Sequence, residues 1–131
     1  MKSITPFLVY NGTAEAAMKY YEQCIRNATI TRIDKYTQTD QYGDDGKVMI
    51  GVMTIAGEKV QFIDMKHDKP APPMSWSNNL MLECSTIDEF EQAFKGLADG
   101  GKVYTGPISD SRWSKISWIT DKFGLTWQLI L

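Results

Sequence analysis

The sequence predicts an α+β chain made of two βαβββ modules, and three observations carry that prediction. Gly57-Glu58-Lys59-Val60-Gln61-Phe62-Ile63 and Gly124-Leu125-Thr126-Trp127-Gln128-Leu129-Ile130 both set a glycine three residues ahead of an apolar-Gln-apolar-apolar string. Thr5 to Tyr10 falls on Asn79 to Cys84, and both stretches run into a helical pattern. The offset is 74 at the front (Thr5 to Asn79) and 67 at the back (Gln61 to Gln128). The first copy must then hold a loop about seven residues longer, and the polar run Thr37 to Lys47 is where it belongs. A doubled module relates matching side chains by a pseudo-twofold axis, which makes Gln61 and Gln128 expected neighbours.

Each element has its own warrant. Ile4, Phe7, Leu8, Val9 and Tyr10 mark a mostly buried strand over 3–10. Ala14 to Cys24 repeats Ala14, Ala17, Met18, Tyr21, Cys24 and Ile25 at three- and four-residue spacing, an amphipathic helix that Gly12 or Thr13 would cap. Thr29 to Tyr36 alternates like a strand without declaring its faces. Val48 to Ile55 and Lys59 to Met65 are apolar strands joined tightly enough for a hairpin. Pro70, Pro72 and Pro73 interrupt an aperiodic stretch, so 66–77 reads as a linker between module one, 1–65, and module two, 78–131, within a single domain.

In the second module Leu80, Met81, Leu82 and Cys84 form a strand. Thr86 and Glu89 make a capping box for a helix whose buried stripe is Ile87, Phe90, Ala93, Phe94 and Leu97. Gly100-Gly101 supplies a left-handed stop. Strands over Lys102–Gly106, Lys115–Thr120 and Thr126–Leu131 complete the order, with Asp121 to Gly124 as the turn before the last.

Composition narrows the function. Fourteen basic residues against 16 acidic ones give a net charge of −2 and a pI near 5.3. With no basic cluster, a phosphate-backbone partner has nothing to bind, so nucleic acid is not expected. No apolar stretch has the length of a signal or a membrane span, from which a soluble cytoplasmic protein is expected. Cys24 and Cys84 stand alone in apolar patterns and read as reduced packing residues. Nucleophile-elbow, phosphate-loop and dinucleotide-binding signatures are all missing.

The string Ser114 to Leu129, with Asp121-Lys122-Phe123-Gly124-Leu125-Thr126-Trp127-Gln128 at its heart, resembles the closing motif of the PhnB-like branch of the vicinal oxygen chelate superfamily. Ile4-Thr5-Pro6-Phe7-Leu8 with its following helix, and the turn Ala98 to Gly101, extend the resemblance over the whole chain. Ile116 and Ser117 depart from it, standing where that branch tends to have an aromatic residue and glycine. The resemblance implies the glyoxalase/bleomycin-resistance fold, with the two modules forming a cupped mixed sheet around a cavity, and a homodimer. Members of the branch often carry a 3-demethylubiquinone 3-methyltransferase label, but the chain lacks the glycine-rich turn and strand-end acid with which such enzymes usually grip a methyl donor.

Metal-using members of that superfamily take ligands from the first and last strands of each module, typically imidazoles and carboxylates. The equivalent places here hold Thr5, Gln61, Asn79 and Gln128. A hydroxyl and three carboxamides do not offset the dehydration of a divalent ion, so no metal and no cofactor are expected. The only histidine, His67, lies in the linker and reads as solvated. Thr5, Gln61, Asn79 and Gln128 would form a polar floor for a small organic ligand; alternatively the two glutamines bond each other or the backbone and plug the cavity. Trp118 and Trp127 read first as core, and Trp118 also joins the candidate ligand contacts. Trp76 and Trp113 read as rim or subunit contact, and Arg112 as the side chain best placed to meet an anion. The rival expectations are a metal-dependent lyase, isomerase or dioxygenase, and a drug-sequestering protein of the bleomycin-resistance kind.

Overall fold

A computed structural model describes residues 1–131. By its internal contacts the chain divides into one unit of Met1–Gln23 with Asn27–Pro72 and a second of Cys24–Arg26 with Pro73–Leu131.

The first unit runs β1 (Phe7–Tyr10), α1 (Ala14–Cys24), β2 (Ala28–Lys35), β3 (Val48–Ile55) and β4 (Glu58–Asp64). Its sheet has the order β1-β4-β3-β2, with β1 parallel to β4 and the other pairs antiparallel. Alternation in β4 buries Val60, Phe62 and Asp64 on one side and leaves Gln61 and Ile63 half-buried on the other. The buried side lies under α1. Tyr21 packs against Phe62, with ring centroids 6.3 Å apart, and shares a 3.0 Å hydroxyl contact with Tyr10. A Cβ on Gly51 would come within 2.7 Å of Met18 Sδ, so the glycine lets the helix sit close to β3. The whole predicted stripe of α1, from Ala14 to Ile25, is buried.

The second unit runs β5 (Asn79–Glu83), α2 (Ile87–Ala98), β6 (Lys102–Ile108), β7 (Ile116–Thr120) and β8 (Thr126–Ile130), in the sheet order β5-β8-β7-β6. The two βαβββ units thus have the same strand order and directions, which is the predicted fold class. Their registers agree residue by residue: Phe7 lies opposite Gln61 in the parallel pair of the first sheet, and Met81 lies opposite Gln128 in that of the second. Phe90, Ala93 and Leu97 bury the inner stripe of α2, and Leu82, Ile119, Trp127 and Leu129 are buried in the same unit. Cys24 joins them, since a Cβ on Gly96 of α2 would fall 2.3 Å from its own Cβ. Burial raises both thiols to a pKa of about 11, so Cys24 and Cys84 are inert packing groups.

Several boundaries differ from the sequence reading, each for a physical reason. β1 starts at Phe7, not residue 3, because its pairing with β4 begins there and Pro6 has no N–H to offer the ladder. β6 continues through a cis Gly106–Pro107 bond to Ile108, with irregular register against β7, where glycine and proline read as the end of a strand. Ile87 is 55% exposed: it is the first residue of α2, and the apolar stripe runs past what is covered. Thr86 caps α2 by accepting from the Glu89 N–H, but Glu89 reaches back to the N–H of Ser85. Neither Gly12 nor Thr13 supplies the side-chain cap of α1. That work falls to Asp64, whose Oδ1 accepts from the N–H groups of Gly12 and Ala14 at 2.8 and 3.0 Å.

Candidate functional site

The site residues divide between the units. In the first, Gln61 lies in mid-β4 on the face away from α1, with Phe7 of β1 and Val52 of β3 as its register neighbours. Thr5 is half-buried two residues ahead of β1, and the Pro6 carbonyl between them accepts from the Gln61 N–H at 3.0 Å.

In the second unit Gln128 holds the equivalent place in β8, between Met81 of β5 and Trp118 of β7. One step along, Asn79, Thr126 and Thr120 form a neutral polar row, and the two threonine hydroxyls share a 2.6 Å hydrogen bond. Trp118 is half-buried on this face, not core, whereas Trp127 is core and donates its indole N–H to Asp121 at 2.9 Å. Trp76 leans over Trp118 with ring centroids 6.3 Å apart and planes 57° apart. The Asn79 side chain holds that loop by donating to the Trp76 carbonyl at 3.2 Å.

Neither Gln61 nor Gln128 has a hydrogen-bond partner for its side-chain amide within its own unit, and no buried side-chain polar atom is left unpaired. These amides therefore reach solvent with their donors and acceptors open. That separates them from Asp64 and Asp121, buried carboxylates saturated by N–H groups. Besides its bonds to Gly12 and Ala14, Asp64 accepts from Val48; Asp121 accepts from Phe123, Leu125 and the Trp127 ring. The role of Asp64 has no local signature, since its donors lie up to 52 positions away.

The other candidates are already engaged. Arg112 pairs with Asp110 at 3.1 Å and stacks its guanidinium 4.5 Å from the Trp113 ring centroid, which leaves an anion less of it to meet. His67 is exposed but paired: its Nδ1 lies 2.7 Å from Asp44 Oδ1, and the carboxylate raises its pKa while its own falls. Nowhere do three His, Cys, Asp or Glu side chains gather as a metal site would require. Thr5, Gln61, Asn79 and Gln128 offer neutral oxygens and amide nitrogens, which do not fit the ligand chemistry of a divalent transition ion. No helix is long and apolar enough to cross a membrane.

Comparison with known proteins places the chain. No curated protein matches it. A PhnB protein from Bacillus cereus, described as a 3-demethylubiquinone-9 3-methyltransferase, is 30% identical over 99% of both chains, with a TM-score of 0.84. A Pseudomonas aeruginosa protein is 21% identical over 99% of this chain and 97% of its own, with a TM-score of 0.86. The fosfomycin resistance protein FosX of Listeria monocytogenes shares the fold at 10% identity, covering 99% of this chain and 91% of its own, with a TM-score of 0.62. The family model described as 3-demethylubiquinone-9 3-methyltransferase matches residues 2–130, a description that names an activity for the family and none for this chain. The chain belongs to that family, with a PhnB protein among its relatives, and it has the fold of glyoxalase/bleomycin-resistance proteins.

Proposed function

We propose that this protein binds a small, uncharged organic molecule through carboxamide and aromatic side chains, without a metal ion. The observation that supports this most directly is the pair of open amides at matching register positions, Gln61 and Gln128. A carboxamide donates two hydrogen bonds and accepts two, so it meets a ligand's carbonyl, amide or hydroxyl without desolvating a charge. A structural plug would use those donors and acceptors internally, and neither amide finds a partner within its own unit. Thr5 joins Gln61 in the first unit's proposed contact set, and Trp118 joins Gln128 in the second's, where Asn79 holds the Trp76 loop. Methyl transfer has no support beyond the family's description, since the chain offers no recognisable grip for a methyl donor.

Thermal-shift screening of the whole chain against neutral metabolites tests the proposal, because a ligand that binds only the folded state raises the melting temperature by mass action. Gln61→Leu should abolish the shift of a ligand held on the first unit and Gln128→Leu that of one held on the second, each changing stability by no more than about 0.5 kcal/mol, as expected where no contact within the unit is lost. Tight stoichiometric uptake of Zn²⁺, Ni²⁺, Mn²⁺ or Fe²⁺ that either substitution removes would overturn it.

A further inference from the structure

Resting on that reading, we infer that the second unit selects a flat, carbonyl-bearing aromatic ligand, taken between Trp76 and Trp118 with its carbonyl on Gln128. Three features converge on this chemistry. Trp118 is the cross-strand register neighbour of Gln128, so an indole and an open amide stand side by side on one face of the sheet. Trp76 comes from a loop, is 56% exposed, and faces the Trp118 ring at an angle. The neighbouring row of Asn79, Thr126 and Thr120 carries no charge.

The ring geometry sets the ligand's thickness. Two rings tilted by 57° at 6.3 Å touch edge to face. A planar molecule between parallel indoles needs about 7 Å, twice a carbon contact of roughly 3.5 Å. Turning Trp76 flat and moving it outward by under about 1 Å therefore opens one slot of aromatic thickness. A puckered aliphatic ring is thicker and has no π face to offer. The turn bearing Trp76 is itself pinned at its base: Asn79 donates to the Trp76 carbonyl, and the Asn78 N–H donates to Ser75 at 3.2 Å. Only the indole needs to move. Asn79 thus acts as a positioning residue for the upper wall of the slot.

The probes are 2-quinolone, a flat neutral lactam, and its saturated counterpart octahydro-2-quinolone, titrated into the full-length protein by calorimetry. We expect 2-quinolone to bind at least about tenfold more tightly than the saturated lactam, the scale of one ring stacked on an aromatic side chain. Trp76→Ala and Trp118→Ala should each erase that preference. Asn79→Ala should weaken 2-quinolone alone, because only the stacked ligand uses the position of Trp76. Equal affinities for the two lactams, with both lost in Gln128→Leu, would overturn this inference and leave the parent proposal standing. Failure of both to bind would overturn this inference alone, and binding of both that is indifferent to Gln128→Leu would overturn the two together.

Discussion

Asp64→Asn is the substitution whose outcome the structure constrains most tightly. The carboxylate is 1% exposed and ends β4. Its Oδ1 takes the N–H groups of Gly12 and Ala14, and its Oδ2 takes that of Val48 at 3.0 Å, so one side chain ties the start of α1 and the start of β3 to β4. An asparagine has the same shape but only one accepting oxygen. If that oxygen keeps the two helix donors, the new NH2 faces the Val48 N–H, donor against donor. One buried N–H left unsatisfied costs about 1–3 kcal/mol. The two surviving bonds also lose their charge assistance, and the N-terminus of α1 loses a favourable anion worth about 0.3–1 kcal/mol. Relief of carboxylate desolvation opposes these losses, but the three N–H donors already offset most of it. The balance is a destabilisation of about 2–4 kcal/mol, a large share of the stability of a domain this size.

Urea unfolding of Asp64→Asn and the parent protein, followed by circular dichroism, measures that difference, and amide exchange at Gly12, Ala14 and Val48 locates it. A variant within about 0.5 kcal/mol of the parent, the usual range for a surface change, would show that these three N–H groups find other partners and would refute the accounting.

Two further predictions address the loops. Ala56 and Gly57 form the two-residue β3–β4 turn with φ of 51° and 84°, a geometry that favours Asn at the first position; Ala56→Asn should raise stability by about 0.5–1 kcal/mol in urea unfolding, and no gain would mean the turn is unstrained. His67 has its pKa raised above 6.5 chiefly by the Asp44 hydrogen bond, so its contribution is full below pH 6.5 and lost as pH rises through the folded value. Asp44 has its pKa lowered below 3.8, so its share is present above pH 3.8 and fades as pH falls through the folded value. The pairing should therefore be complete between pH 3.8 and 6.5, and an NMR titration of the His67 ring should give a midpoint above 6.5 that Asp44→Asn lowers; a midpoint indifferent to that substitution would refute the pairing.

Much of the fold was readable because its signals are local. Ala14 to Cys24 spells out a helix by spacing alone, and its bounds and buried stripe agree with the structure. Thr86 announces the start of α2 within four residues. The alignment of Thr5–Tyr10 on Asn79–Cys84 anticipates a register, since Phe7 and Met81 do stand opposite the two glutamines. What escaped is what tertiary structure supplies. The cap of α1 comes from the far end of β4, and a search for Ser, Thr, Asp or Asn just ahead of a helix cannot find it. Trp118 and Trp127 are equally large and both lie in strands, yet only alternation against a known register shows that one is core and the other half-exposed. Asn79 read as a ligand contact from its place in the repeat, and nothing local revealed that its amide is committed to the Trp76 carbonyl.

The placement of charge explains why glutamine suits both central strands. Each unit contains one buried carboxylate, Asp64 at the end of β4 and Asp121 in the turn before β8, and each is saturated by N–H donors. Those acids are spent on holding chain segments together and have no capacity for a cation. Across Asn79, Thr126 and Thr120, and across Met81, Gln128 and Trp118, the second unit presents no charge at all. A metal ion would need an anion there, and an anionic ligand would need a cation. A neutral ligand needs only donors and acceptors that water can vacate cheaply, and a carboxamide is the one uncharged side-chain group that offers two of each. A carboxylate at position 61 or 128 could accept but not donate, and would lose hydration whenever a neutral molecule covered it. On the proposed function, glutamine at positions 61 and 128 supplies the donors and acceptors a neutral ligand needs, while Asp64 and Asp121 hold chain segments together.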